Sequence, residues 1–274
     1  MQVVVCAMAK NEHDYINEWV EHYVKLGFDK IYIYDNDEED KPYIKDYISS
    51  KFLNKCVIKN IRGFKRNRLQ QDIYTGFYHK YGQTFDWVFY CDIDEFLMGV
   101  DNIKDFLSQR IFANAQQVRV RWKLFGDNNL IERDMSKSVV ETFTKEVKHS
   151  LNRNLVDKGN LEIQGKAFVR GGLSNIIVSS PHFASRYNRK NILSSVLPNG
   201  NICESGVAIR EDYSGTNVFL NHYMTKSLSE FIKQKLNRTD AVYGDISIKL
   251  DYYWRINHKT PAKLQYLKDM GLGI

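Results

Sequence analysis

Three carboxylates follow the apolar run WVFYC within the segment TFDWVFYCDIDEFLMG, residues 84–99. Asp92 and Asp94 are separated by one residue, and Glu95 follows directly. A buried carboxylate is costly without a positive or hydrogen-bonding partner. On an extended backbone, side chains at i and i+2 point to the same face, so Asp92 and Asp94 can reach one cation. Oxygen ligands suit Mg²⁺ or Mn²⁺. The alternative is that both residues cap a turn and pair with a nearby Arg or Lys.

The elements that must position these carboxylates alternate between strand and helix. VVVCAMA predicts a buried strand, NEHDYINEWVEHYVKLG an amphipathic helix that stops near Gly27, and DKIYIYDNDEED a second strand. Strand, helix, strand in this order is a βαβ unit with a right-handed crossover. The alternation continues through CVIKNI, a helix marked by Leu69 and Phe77, and DWVFYCDIDEF. Asp92 and Asp94 therefore fall at the carboxyl end of a strand, where open α/β sheets bind their ligands.

The segment QVRVRWKLFG alternates strictly between apolar and basic residues. It predicts a half-exposed and antiparallel strand, with Arg119, Arg121 and Lys123 on the exposed face. Residues 1–125 thus predict an open, mostly parallel sheet with helices packed on it, and residues 126–220 are less regular, with short strands and loops. Ser227 and Glu230 form a capping box that opens a late helix. Residues 241–274 predict a helical extension, broken at Pro261 and rich in Lys, Tyr and Trp.

The composition fits an ordinary globular protein with room for a full core, and the absence of a linker-like segment favours one continuous domain. The 274 residues are 43% apolar and 13% aromatic, and the net charge of +6 favours phosphate-bearing ligands or an anionic membrane surface without indicating a nucleic-acid partner. The four cysteines are isolated, which argues against a zinc site or a disulfide framework. No signal peptide is recognisable, and no apolar run is long enough to span a bilayer. These features together predict a cytoplasmic protein.

Several segments resemble a known enzyme group. The Asp-Ile-Asp-Glu step is similar to the D-x-D motif of nucleotide-sugar glycosyltransferases. AMAKNEHDYINEWVEHYVKLGFDKIYIYDND, FDWVFYCDIDEFL, RWKLFG and NHYMTKSLSEF resemble, in this order, blocks of the glycosyltransferase family 2-like and family 92 enzymes. The matches span roughly residues 3–235. The resemblance implies an A-type glycosyltransferase fold, which is a Rossmann-like, mostly parallel sheet with helices on both faces. Here residues 1–240 would form the catalytic domain, with 1–125 binding the nucleotide-sugar and 126–240 the acceptor.

The resemblance also implies an activity and its partners. A hexose, with galactose favoured, would move from a UDP-sugar to a saccharide or lipid-linked saccharide acceptor in surface polysaccharide synthesis, with Mn²⁺ or Mg²⁺ as cofactor. A divalent ion would neutralise the charge of the leaving diphosphate. A lipid-linked acceptor would suit a peripheral contact of the basic tail at the inner membrane face, although a solvated helix explains the tail equally well.

Site residues carried over by the resemblance fall into three groups. The implied metal ligands are Asp92, Asp94 and His222. The implied nucleotide-sugar-binding residues are Ala7, Asn11, Asp35, Asn36, Arg66, Gln70, Lys166 and Asp92. An inverting transfer also needs a base near the acceptor hydroxyl. Glu211 and His182 are the chosen candidates from a set that includes Asp127, Glu204 and Asp212. The alternatives to these site roles are that Asp35 is a turn residue, that Arg66 lies in a solvated loop, and that His222 is a packed imidazole.

Three rival functions are weighed against this hypothesis. In haloacid-dehalogenase-like phosphatases an Asp-x-Asp ends the first strand, whereas the first strand here ends in AMAKNE. A metal-dependent nuclease would need more clustered acidic residues. A catalytically silent nucleotide- or carbohydrate-binding protein on the same scaffold is the alternative from outside the enzymes, and donor hydrolysis or transfer would separate it from a transferase.

Overall fold

A computed structural model describes residues 1–147, 163–187, 193–236, 238 and 248–272. Within them the strands are β1 (Val3–Ala9), β2 (Lys30–Asp35), β3 (Cys56–Asn60), β4 (Trp87–Tyr90), β5 (Glu95–Met98), β6 (Gln117–Phe125), β7 (Glu146–Val147), β8 (Gly165–Arg170), β9 (Ile176–Ser180), β10 (Phe183–Arg186), β11 (Ser195–Val196) and β12 (Phe219–His222). The helices are α1 (Ile16–Lys25), α2 (Ser50–Leu53), α3 (Leu69–Lys80), α4 (Ile103–Leu107), α5 (Val139–Thr142), α6 (Leu228–Gln234), α7 (Leu250–Tyr253) and α8 (Pro261–Asp269).

Most of the strands join one mixed sheet in the order β3-β2-β1-β4-β8-β6-β12-β5. The four strands from β3 to β4 run parallel to one another. β8 is antiparallel to both β4 and β6, while β12 is parallel to β6 and antiparallel to β5. β7 and β11 also pair with β6, and β9 and β10 form a separate antiparallel ribbon. The predicted parallel half is therefore confirmed, and its carboxyl ends share one edge.

Helices cover both faces of the sheet, as predicted. Val3, Val5 and Ala7 of β1 are fully buried in a core cluster that includes Trp19 of α1. The alternate residues of β1 belong to a second cluster, with Phe77 of α3. Because successive side chains of a strand point to opposite faces, the continuous apolar run VVVCAMA is what a strand covered on both sides requires.

The prediction of a half-exposed strand at residues 117–125 is wrong. β6 lies between β8 and β12 inside the sheet, and only 1% of Arg119 is exposed. Its guanidinium donates to the carbonyls of Ser205 at 2.7 Å and Val207 at 3.0 Å. Arg121 donates to the carbonyl of Ile209 at 2.7 Å. A guanidinium carries five donors and no acceptor, and backbone carbonyls of residues 205 and 207 accept from the two terminal nitrogens of Arg119 where the sequence indicated water.

The C-terminal helices pack on α6. Phe231, Tyr253 and Leu267 belong to one buried cluster that joins α6, α7 and α8. The capping box at Ser227 is confirmed, with Ser227 and Glu230 bonded reciprocally. Pro261 occupies the first turn of α8, so it begins this helix. Among the described residues, none of the helices is both long and apolar enough to cross a bilayer.

Candidate active site

A cleft opens at the carboxyl ends of the parallel strands and receives side chains from both predicted halves of the chain. Eight of the residues predicted for the site line it: Asn36, Arg66, Gln70, Asp92, Asp94, Lys166, His182 and His222. Four do not line it in the described part of the chain: Ala7, Asn11, Asp35 and Glu211. The cleft therefore contains all three predicted metal ligands, but only one of the two base candidates, His182.

Asp92 and Asp94 lie in a turn, so the expectation of an extended backbone is wrong. β4 ends at Tyr90, and Glu95 already begins β5. The amide of Glu95 donates to the carbonyl of Asp92 at 3.2 Å, and the amide of Asp92 donates to Oε2 of Glu95 at 2.9 Å. This reciprocal pair closes the turn. Both aspartates nevertheless reach the cleft, because the turn stands at the end of a central strand.

Two lysines are the positive partners of these aspartates. Nζ of Lys166 lies 2.6 Å from Oδ2 of Asp92 and 3.5 Å from Oε1 of Glu95. Nζ of Lys235 lies 2.5 Å from Oδ2 of Asp94. The second oxygen of Asp92 accepts from the Gln70 amide at 2.9 Å. This arrangement corresponds to the alternative considered from the sequence, a turn whose carboxylates pair with Lys.

The electrostatics of the turn differ between its three acids. Burial alone would raise the pKa of Asp92, but Lys166 lowers it below its usual value. Lys235 and His222 hold the pKa of Asp94 well below its usual value against the same effect of burial. For Glu95 burial prevails over Lys166 and raises the pKa well above the usual value. The cleft therefore presents the carboxylates of Asp92 and Asp94, with the buried Glu95 directly behind them.

Two histidines and a tryptophan form the opposite end of the cleft. Nε2 of His222 lies 3.5 Å from Oδ1 of Asp94. The ring centroid of Trp122 lies 4.4 Å from that of His222 and 5.2 Å from that of His182. Burial lowers the pKa of His222, and it lowers the pKa of His182 to about 3 with help from Lys166. Both imidazoles are therefore neutral at physiological pH.

The donor types at the aspartate turn suit a divalent cation. Oδ1 of Asp94 and Nε2 of His222 face each other at a separation that two ligands of one ion can have. Nδ1 of His222 is buried and has no hydrogen-bond partner among the residues that the structure describes. A neutral imidazole and carboxylate oxygens are ligands of Mn²⁺. Within the described ranges, however, no three His, Cys, Asp or Glu side chains already form a metal-binding group. The third predicted ligand, Asp92, has both oxygens engaged by Gln70 and Lys166.

Three of the predicted nucleotide-binding residues lie outside the cleft and are engaged elsewhere in the fold. Asp35 is 1% exposed, and its carboxylate accepts from the amides of Asp37 at 3.2 Å and Ile44 at 3.3 Å. Asn11 adopts a left-handed conformation, with φ of 59°, and its side chain donates to the carbonyl of Gln234 at 3.2 Å. Ala7 is buried within β1. The sequence pattern predicted that these residues lie near the cleft, but it did not predict the direction of their side chains.

Glu211 closes a loop outside the cleft. Its Oε1 accepts from the amides of Glu204 and Ser205, each at 2.8 Å, and from the Ser205 hydroxyl at 2.5 Å. Although its partial burial works the other way, the hydrogen bonds from Ser205 lower the pKa of Glu211 to about 2. Asp127, considered in the same set, is 3% exposed and bonded to Tyr253 and Lys263. Neither carboxylate has the position of a base for an acceptor in this cleft.

Sequence reasoning missed several residues of the cleft, among them Glu12, Phe64, Trp122, Lys235 and Arg238. Lys235 and Arg238 lie three residues apart just after α6, where basic residues are typical of a solvent-exposed helix end. Trp122 was placed on the apolar face of its strand, so its alternation concealed its place in the cleft. The usable signal was the capping box at Ser227, which fixes where α6 begins and thus where its basic end lies.

Comparisons with known proteins identify relatives of this chain. The family model described as glycosyltransferase family 92 matches residues 1–240. A glycosyltransferase family 92 protein of Ricinus communis is 26% identical over 140 residues, which is 47% of this chain and 24% of that protein. The crystal structure of S. aureus TarS covers 62% of this chain and 28% of its own, with a TM-score of 0.37 and 12% identity. So partial a superposition carries no conclusion about this chain.

Proposed function

Since this chain belongs to glycosyltransferase family 92, we propose that it transfers a hexose from a UDP-sugar to a saccharide or lipid-linked saccharide acceptor. Galactose is the favoured sugar, and surface polysaccharide synthesis the favoured setting. The α/β architecture, with its parallel half and helices on both faces, is that expected of an A-type enzyme. One observation carries the proposal: carboxylates and cations from distant segments converge in a single cleft at the carboxyl ends of the strands.

Cationic side chains in the cleft support a diphosphate-bearing donor. Arg66, Lys166, Lys235 and Arg238 all line it. Arg238 donates to the carbonyl of Lys10 at 2.9 Å and lies 3.8 Å from Oε1 of Glu12, so its guanidinium is held at the wall. Arg66 is more exposed and pairs with Asp72 at 2.9 Å. Guanidinium and ammonium groups are the usual protein partners of phosphate oxygens.

The proposed cofactor is Mn²⁺ or Mg²⁺, which Asp92, Asp94 and His222 would hold. Such an ion supplies Lewis-acid neutralisation of the charge on the leaving diphosphate. Lys166 and Lys235 neutralise the two aspartates, so a divalent ion held by both carboxylates would compete with these ammonium groups and release them. Once released they can pair with phosphate oxygens. The same lysines also favour a second possibility, a donor site in which fixed cations replace the metal.

His182 is the remaining candidate for the base of an inverting transfer. Its Nδ1 lies 2.8 Å from the carbonyl of Gly165, and the ring packs against Trp122. With a pKa of about 3 the imidazole is unprotonated at neutral pH and able to accept a proton, but it is a weak base. Trp122 lines the cleft beside it. Both side chains stand at the end of the cleft opposite Arg66.

A cytoplasmic location belongs to the same proposal, with peripheral contact at the inner membrane face where a lipid-linked acceptor would be. The four cysteines are free, as a reducing compartment requires. The helical tail carries Lys259, Lys263 and Lys268, and Lys263 is engaged internally with Asp127. A nucleic-acid partner is not part of the proposal.

The first test is a thermal-shift screen with UDP, GDP, CDP and TDP, each with and without Mn²⁺. The variants are wild type, Asp94→Asn and the control Asp105→Asn, an exposed acid outside the cleft. Ligands that bind the folded state alone raise the melting temperature. We expect a shift with UDP and Mn²⁺ that Asp94→Asn abolishes and Asp105→Asn retains. UDP binding without Mn²⁺ would favour the fixed-cation site, and no shift with any nucleotide would contradict the proposal.

A second assay separates a transferase from a silent binding protein. UDP release from UDP-galactose, UDP-glucose and their N-acetyl forms can be followed without knowing the acceptor. Turnover of one donor by wild type supports the enzyme. Binding of UDP with no donor turnover and no transfer to any supplied saccharide would favour the silent scaffold.

A further inference from the structure

Phe64 is the most exposed aromatic side chain among the described residues, at 62%, and it lines the cleft. It lies in the polar loop IRGFKRNR that connects β3 to α3. A single exposed apolar residue is ordinary on a protein surface. An exposed ring on the wall of a ligand cleft is different, because pockets combine apolar faces with a few oriented polar groups.

The loop that carries Phe64 is fixed from several sides. Arg62 is 7% exposed, and its guanidinium donates to the carbonyls of Glu38 at 2.7 Å and Glu39 at 3.1 Å. The Asn36 amide, oriented to satisfy both of its ends, donates to the carbonyls of Ile61 and Phe64, each at 3.1 Å. These bonds hold the backbone on both sides of the ring.

Gly63 completes this support. Its φ of +74° is a conformation that other residues adopt at a cost, and its amide donates to the carbonyl of Asp37 at 2.9 Å. The loop thus turns sharply just before Phe64. A loop built this firmly holds the ring out toward solvent, where folding alone gains nothing from an apolar side chain.

The strand order places Phe64 at one end of the cleft. The loop follows β3, and β2 and β1 lie between β3 and β4, whose end carries Asp92. Neighbouring strands lie about 4.8 Å apart, so three spacings separate the two ends by about 14 Å. Lys166 on β8, Trp122 on β6 and His222 on β12 continue in the same direction. Across the cleft the surface therefore changes from an aromatic ring, through cations, to the tryptophan and histidines.

We infer that Phe64 is the platform on which the nucleobase of the sugar donor stacks. This inference rests on the proposed function and names the residue that binds the base. A nucleoside diphosphate lying along the cleft would place its base on the ring and its charged end near Lys166 and Lys235. The sugar would then lie near Trp122 and His182. Phe64 is too far from that end of the cleft to contact the sugar. Because every base has a π face, Phe64 provides affinity and not the choice of base.

Calorimetric titration of UDP and of inorganic pyrophosphate into wild type, Phe64→Ala, Phe64→Leu and Phe64→Trp tests this inference. We expect UDP affinity to fall about tenfold in Phe64→Ala, as for loss of one base–aromatic stack. Phe64→Leu keeps the apolar surface without the π face and should lose nearly as much. Phe64→Trp should bind UDP at least as tightly as wild type. Pyrophosphate affinity should be the same in all four proteins.

The control is Tyr187→Ala, which removes an exposed aromatic ring outside the cleft and should leave both affinities unchanged. Unchanged UDP affinity in Phe64→Ala would overturn the inference and leave the proposed function intact. An equal loss of UDP and pyrophosphate affinity would also overturn it, because Phe64 would then act through the shape of the loop. If wild type binds pyrophosphate but no nucleotide, both the inference and the proposed function fail.

Discussion

Nζ of Lys235 and Oδ2 of Asp94 lie 2.5 Å apart, although 141 positions separate the two residues in the chain. Their side chains are 8% and 6% exposed, so the ion pair is shielded from water. Lys235 also donates to the carbonyl of Met224 at 2.7 Å, which fixes the ammonium from a second side. This contact joins the end of α6 to the turn between β4 and β5, and it forms part of the wall of the cleft.

Replacing Lys235 by Met is expected to lower the free energy of unfolding by about 3 kcal/mol, because it leaves the buried Asp94 without its cation. The double variant Asp94→Asn/Lys235→Met should lose less than the two single variants added together. Urea unfolding at pH 7 without divalent cations measures all four proteins. The control is Lys25→Met, which removes an exposed i,i+4 pair with Glu21 and should cost less than about 1 kcal/mol. Equal costs at Lys25 and Lys235 would refute the assigned role of the buried pair.

The same Lys235→Met substitution should tighten binding of Mn²⁺ in the absence of nucleotide, by about tenfold or more, since it removes a positive charge beside Asp94. It should at the same time weaken binding of UDP, because one of the cations of the cleft is lost. Titration of Mn²⁺, followed by electron paramagnetic resonance of the free ion, gives the first number, and calorimetry gives the second. An unchanged Mn²⁺ affinity would place the ion elsewhere.

Glu211→Gln is expected to leave the rate of donor hydrolysis within about threefold of wild type, since the carboxylate closes its own loop. His182→Gln is the matched comparison and should reduce the rate by about a hundredfold if His182 is the base. UDP release from the preferred donor measures both variants. Glu211→Gln should instead lower the melting temperature, because a Gln amide offers one acceptor oxygen where the carboxylate offers two. An equal loss of rate in both variants would indicate that Glu211 belongs to the active site.

Stability should fall with acidity partly through His22. Burial lowers the pKa of His22 to about 4, and the ring packs against Tyr23 and Phe96 at centroid distances of 5.1 Å and 5.2 Å. Unfolded histidine has a pKa near 6.5, so on acidification the unfolded chain takes up the proton first. The resulting loss of unfolding free energy is absent above about pH 7. It grows as the pH falls from about 6.5 to 4 and reaches at most about 3 kcal/mol.

Urea unfolding of wild type and His22→Gln between pH 7.5 and 4.5 isolates this contribution. Gln can keep the hydrogen bond that the His22 ring makes to the carbonyl of Leu97 at 2.9 Å. The free energy of unfolding of wild type should therefore decline more steeply below about pH 6.5 than that of the variant. Parallel curves would show that His22 is not buried as described.

The local sequence predicted what local forces decide. β1 spans Val3–Ala9, the apolar run itself, because a strand buried on both faces must be apolar throughout. The capping box at Ser227 was equally readable, since its two partners are three residues apart. The place of Asp92 and Asp94 at the cleft followed from the strand that precedes them.

Contacts between distant segments were not predictable in the same way. Lys235, considered alone, resembles a solvated helix-end residue, and nothing near it in sequence indicates that its partner is Asp94. The burial of Arg119 depends on carbonyls of residues 205 and 207, which an alternating pattern cannot foresee. Asp35 is outside the cleft for a different, local reason, because backbone amides of the loop that follows it donate to its carboxylate.

The carboxylate of Asp127 is buried in the part of the chain that the family model matches, yet the two side chains that donate to it, those of Lys263 and Tyr253, come from beyond residue 240. A fragment trimmed at the edge of the shared region would keep this acid and discard both donors. Cutting the chain at the end of the family match is therefore expected to leave Asp127 buried without its side-chain partners and to lower the free energy of unfolding.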